Sequence, residues 1–560
     1  MRVLTPLFLL TLSAYVQAET LPSFLNSNDT IRNLPVPNLP ADAYRPVTPQ
    51  TQVPQAPATQ NQPLQMDTKV TIRKLQIEGG TIYPLTETAQ AYAALLGHET
   101  NLAQLIEATR SITRRYQQDG YLLSYAFLPQ QTFENGLVRV VLVEGYIKDY
   151  QQSGDIGAVS AYVDKLANKL MAERPLTRKT FERYTTLMGR IPGVTLQAQV
   201  PPPGTTDGAA HMKIEATRKP FTTSMSLVDD NRNGTQALLT ATSNSQTSMG
   251  EQFYVSGLFP PGDDKQHYYR VGYSQFINAE GSQVVVGAER YRADPKSNIQ
   301  LNDGFELKPH QSIDRYTIGL SHPLIASPNE SLTLATRLYA VDQTTRYQLV
   351  GYPQRFDIET NLRALAFEGD WRKSDTRQLR ILSAGLYQGI NGLGATTRSD
   401  LEVMKPDLDF FRLRLSGVQS DKFFDNWQGV LSGAFYWSDS TLPDSERATF
   451  GGQNFGRGYP DDQASGDKGW GAAYEVNYSF NRAGEWLKVV QPYVVLDRAK
   501  TWFNELPAKS NDLSSAAVGV RFGDNKYYNI ALEAAKPMSD IALDSFNRRP
   551  RYTLSFSYQL

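Results

Sequence analysis

One arginine in the C-terminal part of the chain is placed for electrostatic chemistry. Arg457 lies between Gly456 and Gly458 and precedes Tyr459, within a long, polar, glycine-rich stretch over residues 450–470. Glycine on both sides lets the backbone reach positive φ, so this loop can fold tightly and enter a confined space. A guanidinium cannot lose its proton, and it is costly to desolvate without a partner. Arg457 therefore requires an anionic partner.

A candidate partner follows in the segment 493–499, which has the pattern of a strand. Counting by twos, Asp497 shares one face of this segment with apolar neighbours, whereas Arg498 points to the other face. There Arg498 could snorkel to a membrane interface. A bidentate Arg457–Asp497 contact would pin the loop, and losing one partner of a desolvated pair costs about 3–5 kcal/mol. The alternative is that both residues are solvated and unpaired.

Enzyme chemistry finds little support in the residue pattern. The sequence has no H-E-x-x-H motif, no G-x-S-x-G elbow and no G-x-x-x-x-G-K-[ST] phosphate loop. The acid pairs at 229–230 and 461–462 lie in turn-like contexts. We expect no catalytic residue, no cofactor and no metal. The histidines are scattered along the chain: His98, His211, His267, His310 and His322.

The N-terminus indicates export. Residues 1–18 combine Arg2, a largely apolar stretch and small residues before a cleavage point, as in a secretory signal peptide. The chain has no cysteine, so an exported protein of this length cannot depend on disulfides. No later run approaches about 18 uninterrupted apolar residues, which leaves a closed barrel as the way to span a membrane. The net charge of −1 gives no reason to expect nucleic acid.

The elements that must position these residues fall into three regimes. Residues 69–145 predict strand, helix, strand, strand, with the helix capped by Asn101 and ended by Gly120. Residues 146–217 predict a second, smaller α+β unit. The helix of the first unit is predicted from apolar residues at helical spacing: Leu102, Leu105, Ile106, Thr109, Ile112 and Tyr116.

From residue 218 to residue 560 the helical periodicity is replaced by alternation. The last segment is the clearest, with Tyr552, Leu554 and Phe556 on one face and serine and threonine on the other. The length suits about sixteen strands of about 9–11 residues with their turns and loops. The predicted fold class is therefore mainly β, with a C-terminal transmembrane barrel of antiparallel strands after two α+β domains.

Several phrases resemble the TpsB transporters of two-partner secretion, a branch of the Omp85 superfamily. Residues 456–459 resemble the V-R-G-[FY] loop tip of that family, with Gly456 in the place of valine. The strand of Asp497 resembles its F-x-D-x-G motif, with Val495 and Ala499 replacing the aromatic residue and the glycine. Phrases at 116–121, 127–131 and 143–146 resemble a first POTRA domain, and Arg183 with Ile191-Pro192-Gly193 resembles a second.

The resemblance implies a domain order and a site. It implies a plug helix at 19–34 and, with the proline- and glutamine-rich composition, a linker at 35–68. POTRA domains would then cover 69–145 and 146–217, and a sixteen-stranded outer-membrane barrel 218–560. The tip residues 456–459 would form a latch inside the barrel, with Asp497 as their partner on the wall.

The same resemblance implies a function. A TpsB protein passes an unfolded TpsA-type exoprotein, such as an adhesin or haemolysin, to the cell surface without ATP. Exposed sheet edges of the POTRA domains suit capture of an extended client by strand addition. Tyr121, Phe127 and Phe133 are candidate client contacts, although the same side chains are equally compatible with a domain core. The other expected partners are outer-membrane lipids and the barrel-assembly machinery.

Three other functions are open at this stage. An Omp85 factor that assembles other barrels would usually carry three or more POTRA domains, and this chain has room for two. A passive diffusion porin would not need two periplasmic domains. A peptidoglycan-binding structural protein would need an anchoring domain, which the sequence does not offer.

Overall fold

The computed structural model describes residues 50–51, 69–230, 234–296, 298–300, 305–400, 405–452, 455–482, 484, 486–505, 510–524 and 527–559. The predicted signal peptide (1–18) and plug helix (19–34) lie outside these residues. The predicted linker (35–68) also lies outside them, except for the short strand β1 (Gln50–Thr51).

The first module is a small α+β unit that contains the predicted strand, main helix and two following strands, together with a short helix and a short strand before the main helix that the sequence analysis did not predict. Its helix α2 begins with a capping box, in which the Gln104 amide donates to Asn101 Oδ1 at 2.9 Å and the Asn101 amide donates to Gln104 Oε1 at 3.2 Å. The helix buries its predicted apolar face against the three-stranded sheet β3–β6–β5. The elements are β2 (Lys69–Thr71), β3 (Lys74–Glu78), α1 (Leu85–Ala89), β4 (Glu99–Asn101), α2 (Leu102–Gln118), β5 (Tyr125–Phe127) and β6 (Leu137–Val143).

The second module packs two helices on one sheet and rests on the barrel. Its sheet has the order β1–β8–β9–β7, with β1 parallel to β8. The module's apolar core continues into turns of the barrel, where the ring of Tyr162 stacks on that of Phe276 at 4.7 Å. The elements are β7 (Tyr146–Ser153), α3 (Ser160–Ala172), α4 (Arg178–Met188), β8 (Val194–Val200) and β9 (Ala209–Arg218).

The remainder of the described chain forms a closed barrel. Its strands are antiparallel, and β10 (Phe221–Asp230) pairs with β30 (Arg551–Gln559), which closes the wall. In the described residues the wall has 16 strands, so the predicted number and fold class are confirmed. No helix among the described residues is long and apolar enough to cross a membrane.

The barrel strands alternate between the lumen and the outside. Between β10 and β30, the strands and strand fragments in chain order are β11 (Gly234–Asn244), β12 (Gln252–Phe259), β13 (His267–Phe276), β14 (Gln283–Ala293), β15 (Ile299–Gln300), β16 (Glu306–Ala326), β17 (Glu330–Leu349), β18 (Arg355–Ser374), β19 (Gln378–Gly389), β20 (Thr396–Ser399), β21 (Phe411–Lys422), β22 (Trp427–Trp437), β23 (Ala448–Phe450), β24 (Ala464–Gly466), β25 (Lys468–Tyr478), β26 (Phe480–Asn481), β27 (Val489–Trp502), β28 (Ser510–Gly523) and β29 (Tyr528–Pro537). Of these, β23 and β24 pair with each other in a separate two-stranded sheet and are not part of the wall.

The outer face of the wall is apolar, as the alternation predicts. On β27, Val494 and Leu496 are exposed on the outside, whereas Asp497 is buried on the lumen side. On the last strand Tyr552 and Leu554 are exposed, on the face predicted to meet lipid. Arg498 also points outward, where its guanidinium donates to Asp512 Oδ2 at 2.7 Å. That ion pair stabilises a charge that an outward-facing strand position would otherwise leave unmatched.

Candidate functional site: a loop latched inside the barrel

The loop between β22 and β25, residues 438–467, turns back into the lumen. Its hairpin β23–β24, including residues of the segment that connects the two strands, is buried in an apolar cluster with wall side chains. Phe450 makes edge-to-face contacts with Tyr436 and Phe455, each with ring centroids 5.8 Å apart. Such packing stabilises the loop as part of the barrel interior. Gln453 and Asn454, in the same loop, lie outside the described residues.

Glycine allows the loop tip to lie directly against the wall. Gly456 has a φ of +90°, and a Cβ there would lie 3.0 Å from Leu513 Cδ1. A Cβ on Gly458 would lie 2.5 Å from the backbone nitrogen of Pro537. Of the two flanking glycines only Gly456 has a positive φ, whereas Gly458 allows close approach of the backbone to β29. A larger residue at either position would push the tip off the wall.

The guanidinium of Arg457 pairs with Glu533 on β29, not with Asp497. Arg457 Nη1 donates to Glu533 Oε2, and the two side chains are only 7% and 9% exposed. The predicted bidentate Arg457–Asp497 contact is therefore wrong. Arg457 nevertheless has a buried anionic partner, as its charge requires, and that partner is Glu533.

Asp497 holds the tip through the backbone instead. Its Oδ1 accepts the amide of Gly456 at 2.6 Å, and its Oδ2 accepts the amide of Arg457 at 3.4 Å. Oδ2 also accepts the hydroxyl of Ser515 at 2.7 Å. Asp497 is thus the carboxylate that anchors the turn of the tip, while a second carboxylate receives the side chain.

Strand register explains the division between the two acids. Across the three strands, Asp497 is paired with Ser515 and Pro537 in one row, and Tyr493 with Gly519 and Glu533 in another. The backbone of the loop tip contacts the row of Asp497, and the long side chain of Arg457 extends to the row of Glu533. The middle residue of the row of Glu533 is Gly519, and its missing side chain leaves room for the ring of Tyr493.

A larger ionic network surrounds Glu533. Tyr493 donates its hydroxyl to Glu533 Oε2 at 2.8 Å, and Arg521 lies over the Tyr493 ring, 3.7 Å from its centroid. Arg521 in turn makes two hydrogen bonds to Glu475, at 2.6 and 2.7 Å. The sequence analysis missed Glu475, Arg521 and Glu533. The signal that could have found them is a charged residue on the lumen face of an alternating strand.

Tyr459 fixes the far side of the tip. This side chain is fully buried, and its hydroxyl donates to the Ser514 carbonyl at 3.1 Å and accepts the Ser539 amide at 3.2 Å. Ser539 lies just after β29, at the start of the next loop. The tip is therefore held at its backbone, by its arginine and by its tyrosine, on three neighbouring strands.

The three candidate client contacts of the first module are half-buried. Tyr121 and Phe133 pack against the module's core, and Phe127 packs beside Tyr125. At the adjacent sheet edge, the outward backbone groups of β5 are already hydrogen-bonded to a side chain of helix α2. The Ala126 amide donates to Thr113 Oγ1 at 3.0 Å, and that hydroxyl donates to the Ala126 carbonyl at 3.3 Å. Strand addition at β5 would have to break these bonds.

The opposite edge of the same sheet is more accessible. In the described residues β3 pairs on one side only, with β6. Lys74 and Gln76 are exposed along this edge, while Leu75 and Ile77 are half-buried towards the core. Charged and polar residues are common on exposed edges because they discourage uncontrolled pairing.

Arg183 clamps the second module to the barrel. Its guanidinium donates to the Leu324 carbonyl at 3.2 Å and to Glu280 Oε2 at 3.3 Å. Lys169 and Tyr184 also bond to the Glu280 carboxylate, each at 3.0 Å. Burial raises the pKa of Glu280, but the bonds from Lys169 and Tyr184 and the charge of Arg183 outweigh it, so the pKa is lowered overall.

Comparison with known proteins identifies the family. Residues 70–145 match the model of the ShlB-type POTRA domain. Residues 365–522, which include Asp497 and the latched loop, match the model of the haemolysin secretion/activation protein ShlB/FhaC/HecB. The resemblance to the TpsB transporters of two-partner secretion is confirmed. This TpsB transporter therefore lies in the outer membrane, as a secretion pore of two-partner secretion.

Individual relatives are distant but extend over most of this TpsB transporter. The heme/hemopexin transporter protein HuxB of Haemophilus influenzae (strain 86-028NP) is 24% identical over 472 residues, which cover 81% of each chain. The outer membrane transporter CdiB of Escherichia coli is 21% identical, covering 80% of this chain and 76% of its own.

Solved structures share the fold. CdiB from Escherichia coli superposes with a TM-score of 0.68, covering 93% of this chain and 94% of the other at 18% identity. BamA from Haemophilus ducreyi lacking POTRA domains 1–3 superposes with a TM-score of 0.51 at 12% identity, covering 88% and 100%. The barrel-and-module architecture is thus shared beyond the TpsB transporters. In this family the POTRA domains lie in the periplasm.

Proposed function

We propose that this transporter captures an unfolded exoprotein in the periplasm and passes it through the barrel to the cell surface without ATP. The observation that carries the proposal is the loop 438–467, which occupies the lumen and is held by noncovalent contacts at its tip. Ion pairs and hydrogen bonds can break and reform without a chemical energy source. Folding of the client outside the cell would then make its passage directional.

The domain order of the proposal follows the sequence. Residues 1–18 direct export, 19–34 plug the barrel, and 35–68 form a linker. POTRA domains at 69–145 and 146–217 receive the client, and the barrel at 218–560 conducts it. The clamp between Arg183 and Glu280 supports this order, because it joins the second module to the barrel turn between β13 and β14.

Client recognition is proposed at the sheet of the first POTRA domain. The accessible edge β3 supports strand addition, in which main-chain hydrogen bonds supply affinity and side-chain pockets supply selectivity. Tyr121, Phe127 and Phe133 are proposed to supply apolar contact when the client loosens the packing around β5. Half-buried aromatic side chains can provide such contact without full unfolding of the domain.

The client is proposed to be a large TpsA-type exoprotein, of the adhesin or haemolysin kind. Two relatives carry transporter names: HuxB is a heme/hemopexin transporter protein, and CdiB is an outer membrane transporter. Their sequence similarity extends over about four-fifths of the chain, from the modules through the barrel. That extent supports a shared transport role rather than a shared client.

Transport itself can be tested with purified components. The transporter is reconstituted in liposomes without nucleotide, and an unfolded TpsA-type exoprotein is added outside. We expect the exoprotein to become protected from protease when the POTRA domains face outward. Failure of protection, together with loss of other outer-membrane barrels when the gene is deleted in cells, would instead favour a barrel-assembly factor.

The β3 edge can be tested with a single cysteine, because the chain has none of its own. We expect bound client to slow maleimide labelling of Gln76→Cys at least about tenfold, as expected for an occupied edge. Lys165→Cys, exposed on helix α3, is the matched control and should label at an unchanged rate. Equal protection at both positions, or at neither, would contradict capture at β3.

A further inference from the structure

The base of the lumenal loop carries an acidic residue that is buried against an arginine of the wall. Glu446 and Arg412 are both fully buried, with Arg412 Nη2 3.1 Å from Glu446 Oε2. Arg412 Nη1 also donates to the Glu446 carbonyl at 2.8 Å. Tyr339, on β17, donates its hydroxyl to Glu446 Oε2 at 3.1 Å. Glu446 is therefore held by groups from two strands of the wall.

Arg412 belongs to a group of wall arginines, which we call the arginine patch: Arg337, Arg412 and Arg414. Arg414 lies 3.0 Å and Arg337 2.5 Å from oxygens of the same wall carboxylate, Glu368. Tyr387 also donates to Glu368 at 2.6 Å, and Arg412 lies over its ring at 3.9 Å. The patch thus has one neighbouring carboxylate from the wall and another, Glu446, from the loop.

The loop is consequently held by two ion pairs of opposite polarity. At the tip the loop contributes the cation and β29 the anion, in Arg457–Glu533. At the base the loop contributes the anion and β21 the cation, in Glu446–Arg412. The two contacts lie on either side of the β22–β25 hairpin that carries the loop. Withdrawal of the loop would separate both pairs at once.

Separation of such buried pairs is strongly unfavourable unless each wall charge gains a new partner. We propose that Glu446 occupies the place of a carboxylate of the passing client, and that client carboxylates replace it on the arginine patch during passage. This inference rests on the proposed function. Replacement of one carboxylate by another keeps Arg412 paired throughout, while Arg337 and Arg414 stay paired with Glu368. The loop can then move in a compartment that supplies no nucleotide.

The patch can be tested without a client, by its effect on ions. Glu446→Gln removes one negative charge from the loop and leaves the size of the side chain and the barrel wall nearly unchanged. In planar bilayers we expect the channel to open at least about tenfold more often than wild type, because one partner of a buried pair is lost. We also expect its reversal potential in a KCl gradient to shift towards anion selectivity, as for pores lined by arginine.

Peptide block reports the proposed ligand chemistry directly. Hexaglutamate added on the periplasmic side should block the Glu446→Gln channel, whereas hexalysine should not. Adding Arg412→Gln to that variant should remove both the anion selectivity and the block. Asp444→Asn is the matched control, since Asp444 pairs with Arg447 inside the loop and its side chain is 37% exposed. It should behave as wild type.

Two outcomes would overturn the inference. One is a Glu446→Gln channel whose selectivity equals that of Asp444→Asn, and the other is equal block by the two peptides. The heat-dependent gel mobility of each variant shows whether its barrel is folded. If either outcome is found while the wild-type protein transports client into liposomes, only the proposed exchange of carboxylates at the arginine patch is overturned. If the wild-type protein does not transport client, the proposed function is overturned instead.

Discussion

At the scale of single residues, the site divides two tasks between two carboxylates. Asp497 receives the backbone of the loop tip, and Glu533 receives the charge of Arg457. Backbone amides offer fixed directions, so Asp497 sets where the turn lies. The guanidinium is on a long flexible stem, so Glu533 sets how firmly the loop is held.

The charge pair at the tip makes a first mutational prediction. Arg457→Ala and Glu533→Gln should both leave the barrel inserted and reduce export of the client strongly. Each leaves one buried charge or acceptor without its partner, which costs about 3–5 kcal/mol when desolvated and less if water enters. The measurement is client in the medium, with heat-dependent gel mobility reporting the folded barrel.

Asp497→Asn serves as the control for that prediction. Asparagine retains a carbonyl oxygen that can accept the Gly456 amide, so its effect on export should be smaller than that of Glu533→Gln. Wild-type export by Arg457→Ala, or a larger loss for Asp497→Asn than for Glu533→Gln, would contradict the division of tasks between the two acids.

At the scale of elements, the lumenal loop behaves as a piece of barrel core. Its aromatic side chains are buried with wall residues. Its tip contacts the end of β29 through Gly458. The loop therefore depends on close backbone approach as well as on charge. A steric change at the tip should have the same consequence as the loss of an ion pair.

Gly458→Ala is the steric test. A Cβ would lie 2.5 Å from Pro537 N and 2.8 Å from the carbonyl carbon of Lys536, both backbone atoms that cannot move aside cheaply. We expect the loop to become sensitive to external protease and export to fall. Gly204→Ala, where a Cβ would meet nothing within 4 Å, is the matched control. Equal protease resistance in the two variants would contradict a tightly docked tip.

At the scale of the whole molecule, the second module and the barrel are joined by a small ionic clamp on Glu280. The pKa of this carboxyl is lowered overall, so its contribution to docking is present at neutral pH and is lost as the pH falls through that lowered pKa, below the ordinary value of 4.5. Because the carboxylate side chain is 37% exposed, solvent screens part of the effect.

The clamp predicts a pH-dependent hinge. At pH values below the ordinary glutamate pKa of 4.5, the turn 277–282 that carries Glu280 should lose amide protection, measured against the intrinsic exchange rate at the same pH, because a protonated Glu280 holds Lys169 and Arg183 more weakly. Glu280→Gln should show the same low protection at pH 7. Protection that is independent of pH in the wild type, or high protection in Glu280→Gln, would count against the clamp.

Much of the architecture could be read from the sequence because local rules govern it. Alternation of apolar and polar residues specifies which strand residues meet lipid, and this holds for Tyr552 and Leu554. The capping box at Asn101 and the apolar stripe behind it specify helix α2. The glycines around Arg457 indicate that the backbone of this loop lies close to another part of the protein. Each of these properties depends on residues a few positions apart.

The partner of Arg457 was decided only by the tertiary structure. Alternation places both Asp497 and Glu533 towards the lumen, so the sequence by itself determined that an acid would be available but not which one. The registers of β27, β28 and β29 place Glu533 lower on the wall, within reach of the side chain, and leave Asp497 beside the tip backbone. The same reason applies to Glu446 and Arg412, since ion pairs between distant segments depend on strand register and barrel curvature, which no local pattern encodes.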